Sequence, residues 1–436
     1  LTRVAEYCIK DTILPHRIMD KLCSILNLIE MAKATWVPIN YLCERGQQIK
    51  VFSQIARKAH FEGYVVHSVP KDYSNKNEEI KTAREKFDEW KEKEVKAGRT
   101  EGSGKTMRDG GFQTKVDFEK TIKYQGATVL EAQTGAYYTP ITALDFEGLY
   151  PSIMIAHNLC YSTLVTDYKF ANCDNIKYDT KIIGGRPVKF AQWYEDTGER
   201  VPSLLPGILQ ELKDFRKRAK KDMAAATDPQ VKSMYNSKQL AYKISMNSVY
   251  GFTGASAGYL PCVQIASFVT MEGRTMIEDT KDLVETEFEG AKVRYGDTDS
   301  VMVEFDTTGM TGKEAIEYSW KVGEKAAARC NEMFSDRKPK NLELEKVYYP
   351  YILYSKKRYA ANMWTKSKSG EMKMDYMDVK GLQLVRRDNI PFVREVSGDI
   401  LKIILESNNS EPAIKLAKDA AQKLLDGKVP HDKLIL

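Results

Sequence analysis

The sequence has few cysteines, few histidines and no long apolar run, and each shortage excludes something. Seven cysteines among 436 residues stand at positions 8, 23, 43, 160, 173, 262 and 330. Their number is odd, their spacings are wide and no C-x-x-C occurs, which excludes a disulfide scaffold and a cysteine-rich zinc site. A reduced, intracellular protein fits better. The five histidines are equally scattered, so catalysis has to rest on carboxylates, lysines and arginines. His157 ends the apolar stretch from Pro151 and reads as a packed helix residue. No stretch approaches the ~20 apolar residues that span a bilayer, which argues against a membrane protein. Neither sign of charge dominates: 66 Lys+Arg against 60 Asp+Glu leave +6, an excess that permits nucleic-acid binding without announcing it. The first residue is Leu1 and no basic-then-apolar leader follows, so the chain is expected to be a piece of a longer protein.

What is present is an ordinary globular composition, 42% hydrophobic and 29% charged, long enough for about three domains. Tyr7 to Ile29 has helical spacing of Ile18, Leu22, Ile25, Leu26 and Ile29, and predicts one amphipathic helix. Pro38 and Gly46 break the next stretch. Residues 71–120 hold 13 Lys/Arg and 12 Asp/Glu, so half of them are charged. They read as a surface insertion with a solvated helix over Glu79–Ala97 and a Gly-rich loop. Within that loop Gly102-Ser-Gly-Lys-Thr106 is one residue out of register for a P-loop, because position 99 is Arg.

Further on, Thr142–Phe146 reads as a strand, followed by a turn and a helix from Pro151. Two helices are expected at 205–226 and 229–250, joined at Thr227-Asp228-Pro229. Strands are expected at Lys292–Tyr295 and Ser300–Glu304 around Gly296-Asp297-Thr298-Asp299, then at Leu342–Tyr354 and Arg358–Trp364. Helices return at Asn389–Glu406 and Ala413–Leu425. The class is α+β, an antiparallel sheet with helices rather than alternating βαβ units.

Asp145 ends an apolar strand, while Asp297 and Asp299 occupy a tight turn. A carboxylate at a strand end is costly unless solvated, paired or metal-bound. Carboxylates from two distant segments on one sheet suit a pair of hard cations such as Mg²⁺; either segment alone is equally an Asp-rich turn. The helix at 205–226 carries Lys213, Arg216, Lys217, Arg218, Lys220 and Lys221. On the next helix Gln239, Lys243, Asn247 and Tyr250 form a polar stripe opposite Leu240 and Ile244. Such a stripe suits a polyphosphate and a base, and it also suits plain solvent exposure.

Five segments in order resemble the family B DNA polymerases. Tyr124-Gln-Gly-Ala127 resembles Y-x-G-[GA], and Asp145-Phe-Glu-Gly-Leu-Tyr-Pro-Ser-Ile153 the first palm motif. Lys243-Ile-Ser-Met-Asn-Ser-Val-Tyr-Gly251 matches K-x3-N-S-x-Y-G, Tyr295–Ser300 matches Y-G-D-T-D-S, and Lys356–Tyr359 matches K-K-R-Y. Arg45–Lys50, Ala156–Tyr161 and Lys380–Asp388 further resemble the delta branch of the family and its homologues in large DNA viruses. Glu147-Gly148 departs from the usual pair before Leu149, and the charged insertion tilts the reading toward a viral homologue. Tyr7 and Asp11 are similar to the third proofreading motif, Y-x3-D.

The resemblance implies a right-hand polymerase. Residues 1–60 would end an RNase H-like 3′→5′ exonuclease domain, and 61–123 would be the charged insertion. The palm would span 124–204 and 253–378, the two-helix fingers 205–252, and the start of a thumb 379–436. Asp145 and Asp299 would bridge two Mg²⁺ ions, Phe146 would lend its carbonyl, and Asp297 would be a weaker or indirect ligand. Glu345, and less so Glu343, would sit near the metals. Arg216, Lys220 and Lys243 would hold the triphosphate, with backbone N–H groups of Gly148, Leu149 and Tyr150. Asn247 and Tyr250 would line the nascent base pair, and the Tyr150 ring would exclude a ribose 2′-OH. Tyr124, Gly126, Lys356, Lys357, Arg358 and Tyr359 would contact DNA. The implied partners are primer-template DNA, dNTPs and a sliding clamp for the full-length protein, in a nucleus or viral replication compartment. A reverse transcriptase is disfavoured because no Y-x-D-D turn is present. A catalytically inactive DNA-binding scaffold is the remaining alternative, and the three aspartates speak against it.

Overall fold

The computed structural model describes residues 2–66 and 125–436 apart from positions 175, 184, 196, 197, 199, 256, 257, 368 and 408. The charged helix expected at Glu79–Ala97, the P-loop-like segment and Tyr124 lie outside the described residues.

The chain opens with helices α1 (Thr2–Lys21) and α2 (Ser24–Thr35). The single helix expected over Tyr7–Ile29 is therefore two, because Cys23 takes a left-handed backbone, φ 49°, that no helix can continue through. Pro38 and Gly46 precede α3 (Ile39–Glu44) and α4 (Gln47–Phe61), as their breaking character requires. Strands β1 (Gly135–Tyr137) and β2 (Ile141–Phe146) lead to α5 (Leu149–Ala156). This helix starts two residues before the expected Pro151, because Gly148 turns the chain at φ 56° and proline is tolerated in a first turn. A hairpin of β3 (Lys177–Ile183) and β4 (Arg186–Gln192) follows, then α6 (Leu204–Ala225) and α7 (Pro229–Gly254). Asp228 caps α7 by accepting hydrogen bonds from the N–H groups of Gln230 and Val231, with Pro229 in the first position. The remaining elements are α8 (Val263–Glu287), β5 (Lys292–Asp297), β6 (Ser300–Glu304), α9 (Gly312–Met333), β7 (Leu342–Ser355), β8 (Arg358–Lys366), β9 (Met372–Lys380), α10 (Pro391–Ser407) and α11 (Ser410–Leu425). The β3–β4 hairpin, α8, α9 and β9 were not anticipated from the sequence.

The chain divides into two compact units, Leu1–Gln125 with Asn158–Phe268, and Gly126–His157 with Val269–Leu436. Residues 158–204 thus group with the helices of the first unit. That unit is built on the α6–α7 hairpin. α6 buries Leu205, Ile208, Leu209, Leu212 and Ala219, and α7 buries Ser237, Ala241, Ser245 and Val249 at intervals of four. Helix α4 braces it: Ser245 Oγ donates to Gln54 Oε1 (2.9 Å), and Gln54 Nε2 donates to the Ala34 carbonyl (2.8 Å).

The second unit is an antiparallel sheet in the order β5-β6-β2-β7-β8-β9, with β1 pairing β7. Alternation along β2 sends Ile141 and Ala143 into a core with Tyr295, Met302, Tyr348, Tyr351, Tyr359 and Met363. Thr142 points the other way, toward α9, where it meets Gly323. The same side packs Ile316 against Val347 and Met372, and Leu405 of α10 against Ala360 and Val379. The α+β class with an antiparallel sheet is observed.

Candidate catalytic site

Strand register gathers the predicted carboxylates. Asp297 of β5 lies opposite Ser300 of β6, Ser300 opposite Asp145 of β2, and Asp145 opposite Glu343 of β7. Cross-strand partners share a face, so these four form one row on the face of Ile141 and Ala143, away from α9. The β2–β7 pairing slips between Ala143 and Leu144, leaving Glu345 as the extra residue of a bulge. Such a bulge re-aims a side chain, and Glu345 is close enough to act electrostatically on both Asp145 and Asp299.

Asp299 sits at the tip of the β5–β6 turn. The Phe146 N–H donates to its carbonyl (2.9 Å), which ties the turn to the end of β2. Thr298 holds φ 59°, a left-handed conformation that is strained for a β-branched residue. Gly296 is needed for space: a Cβ there would lie 2.7 Å from Leu130 Cδ1, because residues 128–133 run alongside β5. Neither Leu130 nor the segment that carries it was legible from the motif.

The aspartates of this site are not equivalent. Burial, then Asp299, then Glu345, push the Asp145 carboxyl up to about 7. Burial, with Asp297 and Glu345, also raises Asp299. Neither has a cation within ion-pair distance among the described residues. Asp297 by contrast receives Lys357 Nζ on both oxygens, at 2.7 and 2.9 Å. The Tyr295 hydroxyl, which sequence reasoning did not single out, donates to Asp297 (3.3 Å) and accepts the Lys357 N–H (2.8 Å).

Among the described residues no three His, Cys, Asp or Glu side chains form a complete metal cage. That is compatible with Mg²⁺, which is usually bound by one or two carboxylates together with substrate phosphates. Asp145, Asp299 and the Phe146 carbonyl are hard oxygen donors, and the raised carboxyls mark a place where positive charge is lacking. The residues therefore fit the implied ion.

The other predicted residues are distributed as follows. Leu149 is buried and Tyr150 half-buried at the start of α5. Gly126 accepts a hydrogen bond from Arg274 (2.7 Å). Lys356 pairs with Glu131 (2.9 Å), and Arg358 is exposed. Tyr359 is only 9% exposed and meets Tyr348 edge-on and Tyr351 at a tilt, so it is a core residue rather than a surface one. In the first unit Lys220, Lys243 and Asn247 are exposed, and Arg216 and Tyr250 half-buried. The expected stripe on α7 is corrected at one end: Gln239 is 8% exposed and accepts from Arg216 Nε (3.4 Å), while Leu240 and Ile244 are 40% and 42% exposed. Small residues at 237, 241 and 245 make the close-packed face instead. Tyr7 and Asp11 lie on exposed turns of α1, which buries no residue.

Fold and site define the class: the chain belongs to DNA polymerase family B, whose sequence pattern matches residues 37–436. Among its relatives are the DNA polymerase delta catalytic subunits of Glycine max, 41% identical over 443 residues, and of Candida albicans, 40% identical over 442. That of Schizosaccharomyces pombe is also 40% identical over 442 residues. Each match covers 100% of this chain but only 35–36% of the relative. The chain thus spans about a third of the curated relatives it matches.

Proposed function

We propose that this chain carries the nucleotide-adding part of a DNA-templated DNA polymerase, extending a primer 3′-OH with deoxynucleotides during genome replication. The observation that carries the reading is the Asp145–Asp299 pair, tied by the Phe146–Asp299 backbone bond and with no ion-pair partner among the described residues. In this reading the palm is 124–204 and 253–378, the fingers 205–252, the start of the thumb 379–436, and residues 1–60 end an exonuclease domain with Tyr7 and Asp11.

Asp145, Asp299 and the Phe146 carbonyl would hold two Mg²⁺ ions, with Glu345 nearby. When bound, such ions activate the primer hydroxyl and neutralise charge that builds up as the α-phosphate is displaced from pyrophosphate. The chain's own part is positioning and charge. Asp297 fixes Lys357, which with Lys356 and Arg358 faces the primer strand, as Tyr124 and Gly126 face DNA. Arg216, Lys220 and Lys243 take up the negative charge of the triphosphate, aided by backbone N–H groups at the start of α5. Asn247 and Tyr250 line the base pair. Tyr150 packs beneath the sugar and leaves no room for a 2′-OH. The complete protein acts with a sliding clamp in a nucleus or viral replication compartment.

Primer extension with Mg²⁺ by the full-length protein tests this. Asp299→Asn should abolish incorporation and leave primer-template affinity largely intact. Surviving incorporation would refute the metal assignment, and a wild-type protein that binds DNA but adds no nucleotide would be an inactive scaffold.

A further inference from the structure

Three consecutive residues of α8 engage three separate parts of the second unit. Glu272 contacts His157 just beyond the last turn of α5 (3.2 Å) and Lys340 (2.7 Å). Arg274 donates to the Gly126 carbonyl (2.7 Å). Between them Gly273 faces the first turns of α5. A Cβ at that position would lie 3.4 Å from both Leu149 Cδ2 and Tyr150 Cε1, and 3.7 Å from Ile153 Cδ1.

Glycine here is not required by the backbone. Gly273 lies well inside α8 and is not among the positive-φ glycines. Any residue could adopt its conformation, and glycine inside a helix is less favourable than alanine. What glycine supplies is space, and the groups that use the space are Leu149 and the Tyr150 ring. With no side chain at position 273, the edge of the ring stands 3.4 Å from where a Cβ would be, and the helix backbone that would carry that Cβ cannot swing aside as a side chain can.

We propose that Gly273 is a specificity-determining residue for the nucleotide sugar: it fixes how far the Tyr150 ring is withdrawn, and so how much room is left above the ring. This rests on the polymerase reading and on Tyr150 as the sugar gate. The Gly273 site touches no substrate and acts through Tyr150, as a positioning residue. A Cβ takes up the remaining clearance. The two γ-carbons of valine cannot both avoid α5 and drive the ring toward the sugar, where a 2′-OH loses more than a 2′-H.

The test measures single-nucleotide incorporation of dNTPs and rNTPs by the full-length enzyme. It compares wild type, Gly273→Ala, Gly273→Val, Tyr150→Ala and Gly273→Val/Tyr150→Ala. Gly273→Ala should fold normally and raise sugar discrimination a few-fold. Gly273→Val should lower kcat/KM for dNTPs roughly tenfold, through KM more than kcat, and lower it further for rNTPs. The double variant should recover most of the dNTP loss, because the ring that valine displaces is gone. Unchanged discrimination in Gly273→Ala, or a double variant as impaired as Gly273→Val, overturns the proposal. Normal dNTP use with unchanged discrimination in Tyr150→Ala overturns the gate instead, and an inert wild type overturns the polymerase reading; either removes the basis of the inference.

Discussion

Replacing Glu272 by leucine tests how α8 is held to the end of α5 and to Lys340. Glu272 Oε1 receives Lys340 Nζ at 2.7 Å and lies 3.2 Å from His157 Nε2. The side chains of Lys340, His157 and Glu272 are 4%, 8% and 10% exposed, so little water is available to replace the carboxylate. Removing one member of a buried ion pair costs about 3–5 kcal/mol, because the partner's charge stays buried without compensation. Against a total stability of about 5–15 kcal/mol that is a large fraction. Glu272→Leu should therefore lower the urea midpoint markedly at unchanged slope. Glu272→Leu/Lys340→Met should recover most of the loss, since an apolar pair of similar volume replaces a buried ion pair at little net cost. Hydrogen exchange should locate the weakening at α5 and α8. A loss below about 1 kcal/mol in the single variant, or a double variant no more stable than the single, refutes the reasoning.

Three further outcomes are expected. Gly323→Ala places a Cβ 2.7 Å from Thr142 Cγ2 and 3.3 Å from Leu344 Cδ1, so overpacking of about 1–3 kcal/mol should outweigh the gain in helix propensity; a raised unfolding midpoint would contradict this. Lys357→Met should change stability by less than about 1 kcal/mol, since Lys357 is 62% exposed, yet reduce primer extension about tenfold; normal extension would sink the role given to Lys357. The Asp145 carboxyl is pushed up to about 7, well above the ordinary aspartate range, so the folded state binds this proton more tightly than the unfolded chain. Its contribution destabilises the fold progressively as pH rises from about 4 to about 7 and fully above that. Mg²⁺ should then raise Tm at about pH 8, and Asp145→Asn should be the more stable protein without Mg²⁺. Equal Mg²⁺ responses in wild type and Asp145→Asn would exclude Asp145 as a ligand.

Much of the sheet was legible because its strands announce themselves locally. β2 and β6 are short apolar runs, β5 runs into the Gly296-Asp297 turn and β7 is a long stretch rich in tyrosine and branched residues; the structure places all four within a residue or two of expectation. The same local signal failed on α7, where serine and alanine at 237, 241 and 245 form the packed face. Apolar counting then assigned burial to Leu240 and Ile244, which are exposed. The break at Cys23 left no trace because no glycine or proline marks it. Contacts across long sequence separations were invisible as well: Asp297 and Lys357 are 60 residues apart, and Glu272 and Lys340 are 68. The position of Gly273 inside a helix carried a faint signal, a glycine where propensity disfavours one, and only the neighbouring ring explains it.

The turn between β5 and β6 puts two aspartates, two residues apart, to opposite uses. Asp297 is neutralised within the protein by Lys357, and the Tyr295 hydroxyl bonds both partners, so the β5–β6 and β7–β8 turns are clasped together. Lys357 holds φ 62° in this clasp, and a Cβ at Gly381 would come within 2.3 Å of its carbonyl oxygen. Asp299, a step further along the turn, is given burial and like charge instead, and Asp145 beside it the same. A second lysine at that point would relieve the repulsion and stabilise the fold, but in the proposed reading it would take the place of the cation that the pair is to hold. The clasp at Asp297 ties down the turn that carries Asp299, while Lys357 offsets only part of the like charge that Asp297 and Glu345 bring to Asp299, which stays raised.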